Sequence, residues 1–222
     1  MQDVVTLGEA MVLLAAAEAG PLTQVQQFTK HTAGAETNVA VGLARLGYRV
    51  SWVSRLGDDS MGHYLRASFE AEGIDCSHVE MVAGGKTGMM FKTLSVAGND
   101  PTIEYHRKDS AASQLRTDEV DWPWFEQARH LHTTGIYPAL TPNTWEVTQS
   151  AMERMRANGK SVSFDPNLRP ALWASTDQMR ASINALAAKA DWVLPGLEEG
   201  KLLTGKDTPA DIAAFYRAQG AQ

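Results

Sequence analysis

Strand-like segments alternate with helical segments along most of this chain, and this alternation restricts the possible folds more than any other feature. The strand-like segments are short, apolar or β-branched, and occupy residues 4–8, 49–54, 130–134, 161–164 and 192–194. The helical segments have apolar residues at helical spacing and occupy residues 37–46, 60–72, 144–157, 177–190 and a stretch from about 211. Strand–helix alternation of this kind predicts an α/β fold with a mainly parallel central sheet covered by helices on both faces.

Two stretches, 11–33 and 86–113, lack the alternation and contain short extended segments without helices between them. They predict a small antiparallel sheet, separate from the main one, that is either a lid over a site at the strand ends or an ordinary edge hairpin. The predicted core then comprises residues 1–10, 34–85 and 114–222. Because ligands of parallel sheets bind beyond the carboxyl ends of the strands, the residues that follow each strand are the first candidates for a site.

Composition excludes several classes of function. The chain has 26 acidic and 20 basic side chains, a net charge of −6, which argues against nucleic-acid binding because non-specific affinity comes from Lys and Arg. The single cysteine, Cys76, excludes an internal disulfide and suits a reducing cytoplasm. No apolar segment approaches the ~20 residues of a membrane-spanning helix, and the N-terminus lacks the pattern of a secretory signal. We therefore expect a cytoplasmic protein with small-molecule partners and no nucleic-acid or membrane partner.

Small residues open one of the predicted helices, in the sequence Ala-Gly-Ala-Glu-Thr-Asn. Gly34 and Ala35 let a ligand approach the backbone, the helix start offers free N–H groups, and Asn38 can both donate and accept hydrogen bonds. This combination suits a polyol ligand. The alternative is a turn with a helix cap, in which Glu36 or Thr37 serves only the helix.

A charged loop directly follows the predicted strand 161–164 and reads Asp165-Pro-Asn167-Leu-Arg169. An Asp, an amide and a guanidinium this close together can bind a charged, hydroxylated ligand, because Arg holds carboxylate or phosphate through two parallel hydrogen bonds. The alternative is a self-contained turn in which Asp165 pairs with Arg169.

Tyr105 and Arg107 lie two residues apart in an extended segment, so their side chains face the same way. An aromatic hydroxyl and a guanidinium on one face can hold an acidic group. The alternative is a strand face exposed to solvent.

Several segments together match a known pattern. The segments AGAETNVA (33–40), LARLG (43–47) and GDDSMG (57–62) resemble the N-terminal signature of ribokinase-like (PfkB-type) carbohydrate kinases. More narrowly, the chain resembles the 2-keto-3-deoxygluconate kinases of that family at residues 87–90, 105–108, 110–113, 135–136, 165–169 and 172–173. The resemblance extends over essentially all 222 residues.

The resemblance implies a ribokinase-like three-layer fold with a small β-sheet lid, and an enzyme that uses ATP and Mg²⁺ to convert 2-keto-3-deoxygluconate to its 6-phosphate. It also implies a homodimer formed through the lid. It assigns substrate binding to Gly34, Ala35, Glu36, Thr37, Asn38, Met90, Tyr105, His106, Arg107 and Arg169. It assigns nucleotide binding to Asn167, Leu168 and Arg169, and Arg169 would also stabilise the transferring phosphate. Two arginines fit this substrate because its carboxylate needs a cation that a neutral sugar does not.

Three departures from the family pattern affect these expectations. Met90 stands where the family often has Tyr, so one substrate hydrogen bond is lost or replaced. The family's Asn-x-x-Glu element near magnesium has Gly196 for its Asn and keeps Glu199, for which we expect an indirect role at the metal. No Gly-Ala-Gly-Asp segment, which carries the family's catalytic Asp, occurs in the sequence, and we expect it to lie beyond Gln222. We therefore expect these 222 residues to lack the C-terminal part of the fold and to be inactive alone, with activity in the full-length form.

Two alternative functions remain open. A kinase of the same family for another sugar, such as fructose or a ribonucleoside, would use the same fold with a different substrate site. A non-catalytic sugar-binding module, or pseudo-kinase, would bind the sugar acid without transferring phosphate.

Overall fold

Ten strands form two separate sheets in the computed structural model, which describes residues 2–95 and 100–222. The strands are β1 (Val4–Leu7), β2 (Met11–Ala16), β3 (Phe28–Ala33), β4 (Val50–Gly57), β5 (Val79–Val82), β6 (Met89–Lys92), β7 (Ile103–His106), β8 (His130–Thr134), β9 (Ser161–Asp165) and β10 (Trp192–Val193). The helices of this part of the chain are α1 (Ala35–Arg45), α2 (Ser60–Ala71), α3 (Trp122–Phe125), α4 (Pro142–Ala157), α5 (Thr176–Ala187), α6 (Leu197–Thr204) and α7 (Pro209–Ala218).

The central sheet has the strand order β10-β9-β8-β1-β4-β5, and all neighbouring strands are parallel. Helices cover both of its faces. On one face Val4 packs in a core with Leu65 of α2, and on the other Val5 packs in a second core with Val147 of α4. The predicted three-layer α/β fold with a parallel central sheet is therefore confirmed, and the carboxyl ends of β1, β8 and β9 meet at one edge.

The smaller sheet, which we call the lid, has the strand order β3-β2-β6-β7. Its four strands lie within the predicted stretches 11–33 and 86–113. The division of the chain into lid and core at these boundaries remains a prediction. Met1 and residues 96–99, which fall in the predicted core and lid, lie outside the described residues. The prediction that this sheet is antiparallel was wrong, because β2 and β6 pair in parallel. Each of these two strands leaves the core in the same direction and returns through its antiparallel neighbour, β3 or β7, so the lid is mixed.

The segment Val79–Val82 is a strand, β5, that the sequence analysis did not identify. It forms the edge of the central sheet, and three of its four residues are only partly buried or exposed, so it lacks the apolar character of the inner strands. Among the described residues, no helix has the length and apolar character needed to cross a membrane.

Candidate functional site

The turn after β1 joins the central sheet to the lid. Trp52 donates from Nε1 to the Gly8 carbonyl at 3.1 Å, which holds this turn against β4. The next residue, Glu9, is 4% exposed. Its carboxylate forms an ion pair with Nη2 of Arg107 and accepts a hydrogen bond from Ser110 Oγ at 2.5 Å. Arg107 therefore points from the end of the lid toward the carboxyl end of the central strand.

Arg107 and Arg169 line the same cavity, which has a volume of about 520 Å³. Its walls come from the end of the lid and from the loops after β8 and β9, and consist of Tyr105, Arg107, Lys108, Asp109, Ser113, Leu140, Thr141 and residues 169–172. Arg169 is exposed and donates from Nη1 to the Leu168 carbonyl at 2.8 Å. A cavity of this size is typical of small-molecule sites, and its two guanidinium groups favour an anionic ligand.

The start of α1 lies beside the same turn but does not line that cavity. A Cβ on Gly34 would come within 2.9 Å of the Glu9 carbonyl oxygen, so the close approach of these two segments requires a glycine. Gly34 occupies the N-cap position without a side-chain cap hydrogen bond, and Thr37 Oγ1 donates to the Gly34 carbonyl at 3.3 Å. Ala35 is partly buried and Asn38 is exposed. The helix start thus lacks the side-chain cap that the alternative interpretation requires.

Glu36 is buried beneath the start of α1 rather than open to a ligand, with 2% of its surface exposed. Its carboxyl accepts a hydrogen bond from Thr134 Oγ1, at the end of β8, at 2.6 Å. Gly8 leaves it room, since a Cβ on that residue would occupy the space of the Glu36 carboxyl. Burial raises the pKa of Glu36 to about 7, although the Thr134 hydrogen bond opposes the rise.

The register of the lid places Met90 and His106, two of the predicted substrate residues, on opposite faces of the sheet. Met90 lies opposite Tyr105, so these side chains share one face of the lid. His106 lies on the other face, where it pairs with Glu104 at 2.8 Å and contacts the Phe91 ring. Arg107, with its guanidinium 6.0 Å from the Tyr105 ring centroid, stays near Tyr105. A substrate role for His106 remains a prediction.

The loop after β9 does not form the turn proposed as the alternative interpretation. Asp165 accepts hydrogen bonds from the backbone and side-chain nitrogens of Asn167, at 3.0 and 3.2 Å, instead of pairing with Arg169. Asn167 adopts a left-handed backbone conformation, with φ of 39°, which closes the loop tightly. Arg169 is therefore left to face the cavity.

Glu199 holds this loop in place. Its Oε1 accepts from the Leu168 backbone N–H at 2.7 Å, and its Oε2 accepts from the Gly196 N–H at 2.9 Å. Burial and, secondarily, the nearby Glu199 carboxylate raise the pKa of Asp165. The described residues contain no cluster of three or more His, Cys, Asp or Glu side chains suited to a metal ion. Both carboxylate oxygens of Glu199 are taken by the backbone N–H groups of Leu168 and Gly196, which fits only the indirect role at a magnesium ion expected from the sequence, and that role remains a prediction.

The sequence analysis assigned no role in the site to Glu9 or Ser110. Glu9 follows a predicted strand by one residue beyond its turn glycine, so the rule that selected Asp165 also applies to it. Ser110 lies in the segment 110–113 that carries the family resemblance, but nothing local predicts its contact with Glu9, because the two residues lie 101 positions apart in the sequence.

Comparisons with known proteins bear on the whole chain. Residues 1–222 match the family described as pfkB family carbohydrate kinase. A Bacillus subtilis (strain 168) protein named 2-dehydro-3-deoxygluconokinase is 46% identical over 220 residues, which are 99% of this chain and 68% of the relative.

Two solved structures extend the comparison. A PfkB protein from Polaromonas sp. JS666 is 57% identical, with a TM-score of 0.96, and the match covers all of this chain and 74% of that one. An uncharacterized sugar kinase from Pyrococcus horikoshii, in complex with ATP, is 28% identical with a TM-score of 0.84. That match covers 91% of this chain and 66% of the other. The chain therefore spans about two thirds to three quarters of the length of these proteins.

Proposed function

The chain belongs to the pfkB family of carbohydrate kinases, and we propose that its full-length form transfers phosphate from ATP to the 6-hydroxyl of 2-keto-3-deoxygluconate. This compound is the 2-dehydro-3-deoxygluconate in the name of the Bacillus subtilis relative. The name of that relative, at 46% identity, supports this sugar acid over the neutral sugars of other family members.

The observation that carries the proposal is the pair of guanidinium groups from distant segments, Arg107 of the lid end and Arg169 of the core, on one cavity of about 520 Å³. A six-carbon sugar acid fits this volume. Its carboxylate would bind a guanidinium through parallel, charge-assisted hydrogen bonds. The exposed Arg169 would meet the phosphate that is transferred, because a fixed cation stabilises charge on a phosphoryl group in flight.

The nucleotide would bind at the loop after β9, beside Asn167, Leu168 and Arg169. The Pyrococcus horikoshii relative was solved in complex with ATP, which supports ATP as the phosphate donor. Magnesium supplies charge neutralisation on the phosphates when it is bound. Glu199 would act indirectly, by fixing the Leu168 backbone against which the nucleotide lies. A homodimer through the lid would cover the exposed side chains of Leu94, Ile103 and Tyr105.

We expect the 222 residues to bind the sugar acid without turning it over, because no Gly-Ala-Gly-Asp segment with a base for the hydroxyl proton occurs among them. Calorimetry with 2-keto-3-deoxygluconate, with and without ATP, measures the binding, and a coupled assay measures ADP release. ADP release well above a control without protein would contradict the expected inactivity. Absence of sugar binding would contradict the proposed site.

The Arg169→Ala variant tests the site residue that is free to face a ligand. We expect its affinity for 2-keto-3-deoxygluconate to fall about thirtyfold, the effect of a hydrogen bond to a charged group worth about 2 kcal/mol. Thermal unfolding should stay near that of the parent, because the one hydrogen bond of the Arg169 side chain within the described part of the chain is to a neighbouring carbonyl. Arg66→Ala is the matched control, since Arg66 pairs with Glu70 on the outside of α2. Equal affinities of the two variants would remove Arg169 from the site.

A further inference from the structure

Glu9 has no role in the function proposed above, yet it is the point at which the lid and the central sheet meet. We propose that Glu9 is a specificity-determining positioning residue, which fixes Arg107 in the orientation that selects a sugar bearing a carboxylate. This inference rests on the proposed function, because it concerns the same cavity and the same class of substrate.

The contacts of Glu9 join three segments of the chain. The residue directly follows the Gly8 turn after β1, and its two carboxylate oxygens contact Arg107 and Ser110, which both belong to the segment that leaves the lid after β7. A Cβ on Gly88, just before β6, would come within 2.9 Å of Glu9 Oε1. The entry and exit segments of the lid therefore close around one carboxylate.

The ion pair between Glu9 and Arg107 is nearly sealed from water. The Glu9 side chain is 2% exposed and that of Arg107 is 12% exposed. The Glu9 carboxylate in turn acts electrostatically on Glu36 of α1 and on Tyr137, whose hydroxyl donates to the Ala112 carbonyl at 2.9 Å. Burial raises the pKa of Glu9, while the Arg107 guanidinium and the Ser110 hydroxyl oppose that rise. Arg107 is the only cation among these neighbours, and it compensates the carboxylate.

Anchoring Arg107 in this way determines how it meets a ligand. A guanidinium has five N–H donors in a rigid plane, and Glu9 contacts the plane through Nη2. With that end held, the guanidinium has less freedom to rotate, so a ligand carboxylate meets better-oriented donors and less entropy is lost on binding. A neutral sugar gains little from the same arrangement, because it lacks the charge that strengthens the hydrogen bonds.

A competing interpretation is that the substrate carboxylate displaces Glu9 from Arg107. Displacement would leave Glu9 buried without its cation and close to the Glu36 carboxyl, and an uncompensated buried charge is strongly unfavourable. The carboxylate of a sugar is exposed to solvent, so its contact with Arg107 would contribute too little binding energy to offset this cost. Positioning, rather than competition, is therefore the role that the burial of this pair favours.

The test compares two ligands that differ only at C1, 2-keto-3-deoxygluconate and the uncharged 3-deoxyfructose, in which a hydroxymethyl group replaces the carboxylate. Calorimetry on the 222-residue chain gives the dissociation constant of each. We expect Glu9→Gln to weaken binding of the acid at least about tenfold and binding of the neutral sugar less than about twofold. Glu9→Asp, which keeps the charge, should recover part of the preference for the acid.

Ser110→Ala gives the second measurement, because it keeps both charges and removes only the hydroxyl that holds Glu9. We expect a smaller loss of acid preference, about threefold, even if Glu9→Gln fails to fold. Tighter binding of the acid to Glu9→Gln, or an equal loss for both ligands in either variant, would overturn the positioning role and leave the proposed function intact. Failure of the parent chain to bind the acid would overturn both.

Discussion

Replacing Arg107 by alanine is expected to abolish measurable binding of 2-keto-3-deoxygluconate and to lower the free energy of unfolding by about 3–5 kcal/mol at neutral to alkaline pH. The stability loss follows from the geometry, since the substitution leaves Glu9 as a buried carboxylate without its cation. The loss should shrink in acid. Burial already raises the pKa of Glu9 and Arg107 opposes that rise, so without Arg107 the group becomes neutral at a higher pH. Urea unfolding at several pH values measures both effects.

The double variant Glu9→Gln with Arg107→Met separates the loss of binding from the loss of stability. Methionine fills much of the space of arginine, and glutamine can still accept the Ser110 hydrogen bond, so no buried charge remains. We expect most of the stability to return while the sugar acid still fails to bind. If the double variant binds the acid as tightly as the parent chain, Arg107 is not the carboxylate ligand, and the choice of an acidic sugar loses its physical basis.

Much of the fold could be predicted from the sequence because the inner strands and the long helices carry strong local patterns. β8 was predicted with its observed ends, His130–Thr134. The helix predicted at 144–157 begins only two residues earlier, at Pro142, in α4. β5 was missed because an edge strand need not be apolar. The parallel pairing of β2 with β6 was missed because core elements separate the two strands in the sequence, and a local pattern does not specify a distant partner strand.

Only those residues of the candidate site that directly follow a strand could be predicted from strand positions. The rule that ligands bind after strands selected the loop containing Asp165 and Arg169, and applied to β1 it also selects Glu9. The rule does not predict which side chains form hydrogen bonds or ion pairs with one another. Asp165 accepts hydrogen bonds from Asn167 rather than from Arg169. Arg107 is held by Glu9, because burial at the junction of lid and core favours a partner that compensates the charge.

A second large effect is expected at Glu36, because burial raises its pKa in the folded protein to about 7, well above the ordinary value of 4.5. The folded protein holds a proton on this carboxyl that the unfolded chain releases near pH 4.5, so the group stabilises the fold at low pH. That contribution is lost as the pH rises toward 7. A shift of this size corresponds to about 3 kcal/mol. The Glu36→Gln variant keeps an acceptor for the Thr134 hydroxyl and cannot titrate, so its stability should lack this fall.

The measurement is the difference in unfolding free energy between Glu36→Gln and the parent chain at about pH 5 and about pH 8, which cancels the other carboxyl groups. We expect the variant to gain about 2–3 kcal/mol relative to the parent between the two conditions. Glu153→Gln is the control, because Glu153 is largely exposed and pairs with Lys189 at the surface. Parallel pH profiles for Glu36→Gln and the parent would mean that the buried carboxyl titrates near its ordinary value. In that case the start of α1 would carry a full negative charge at neutral pH, which disfavours an anionic sugar beside it.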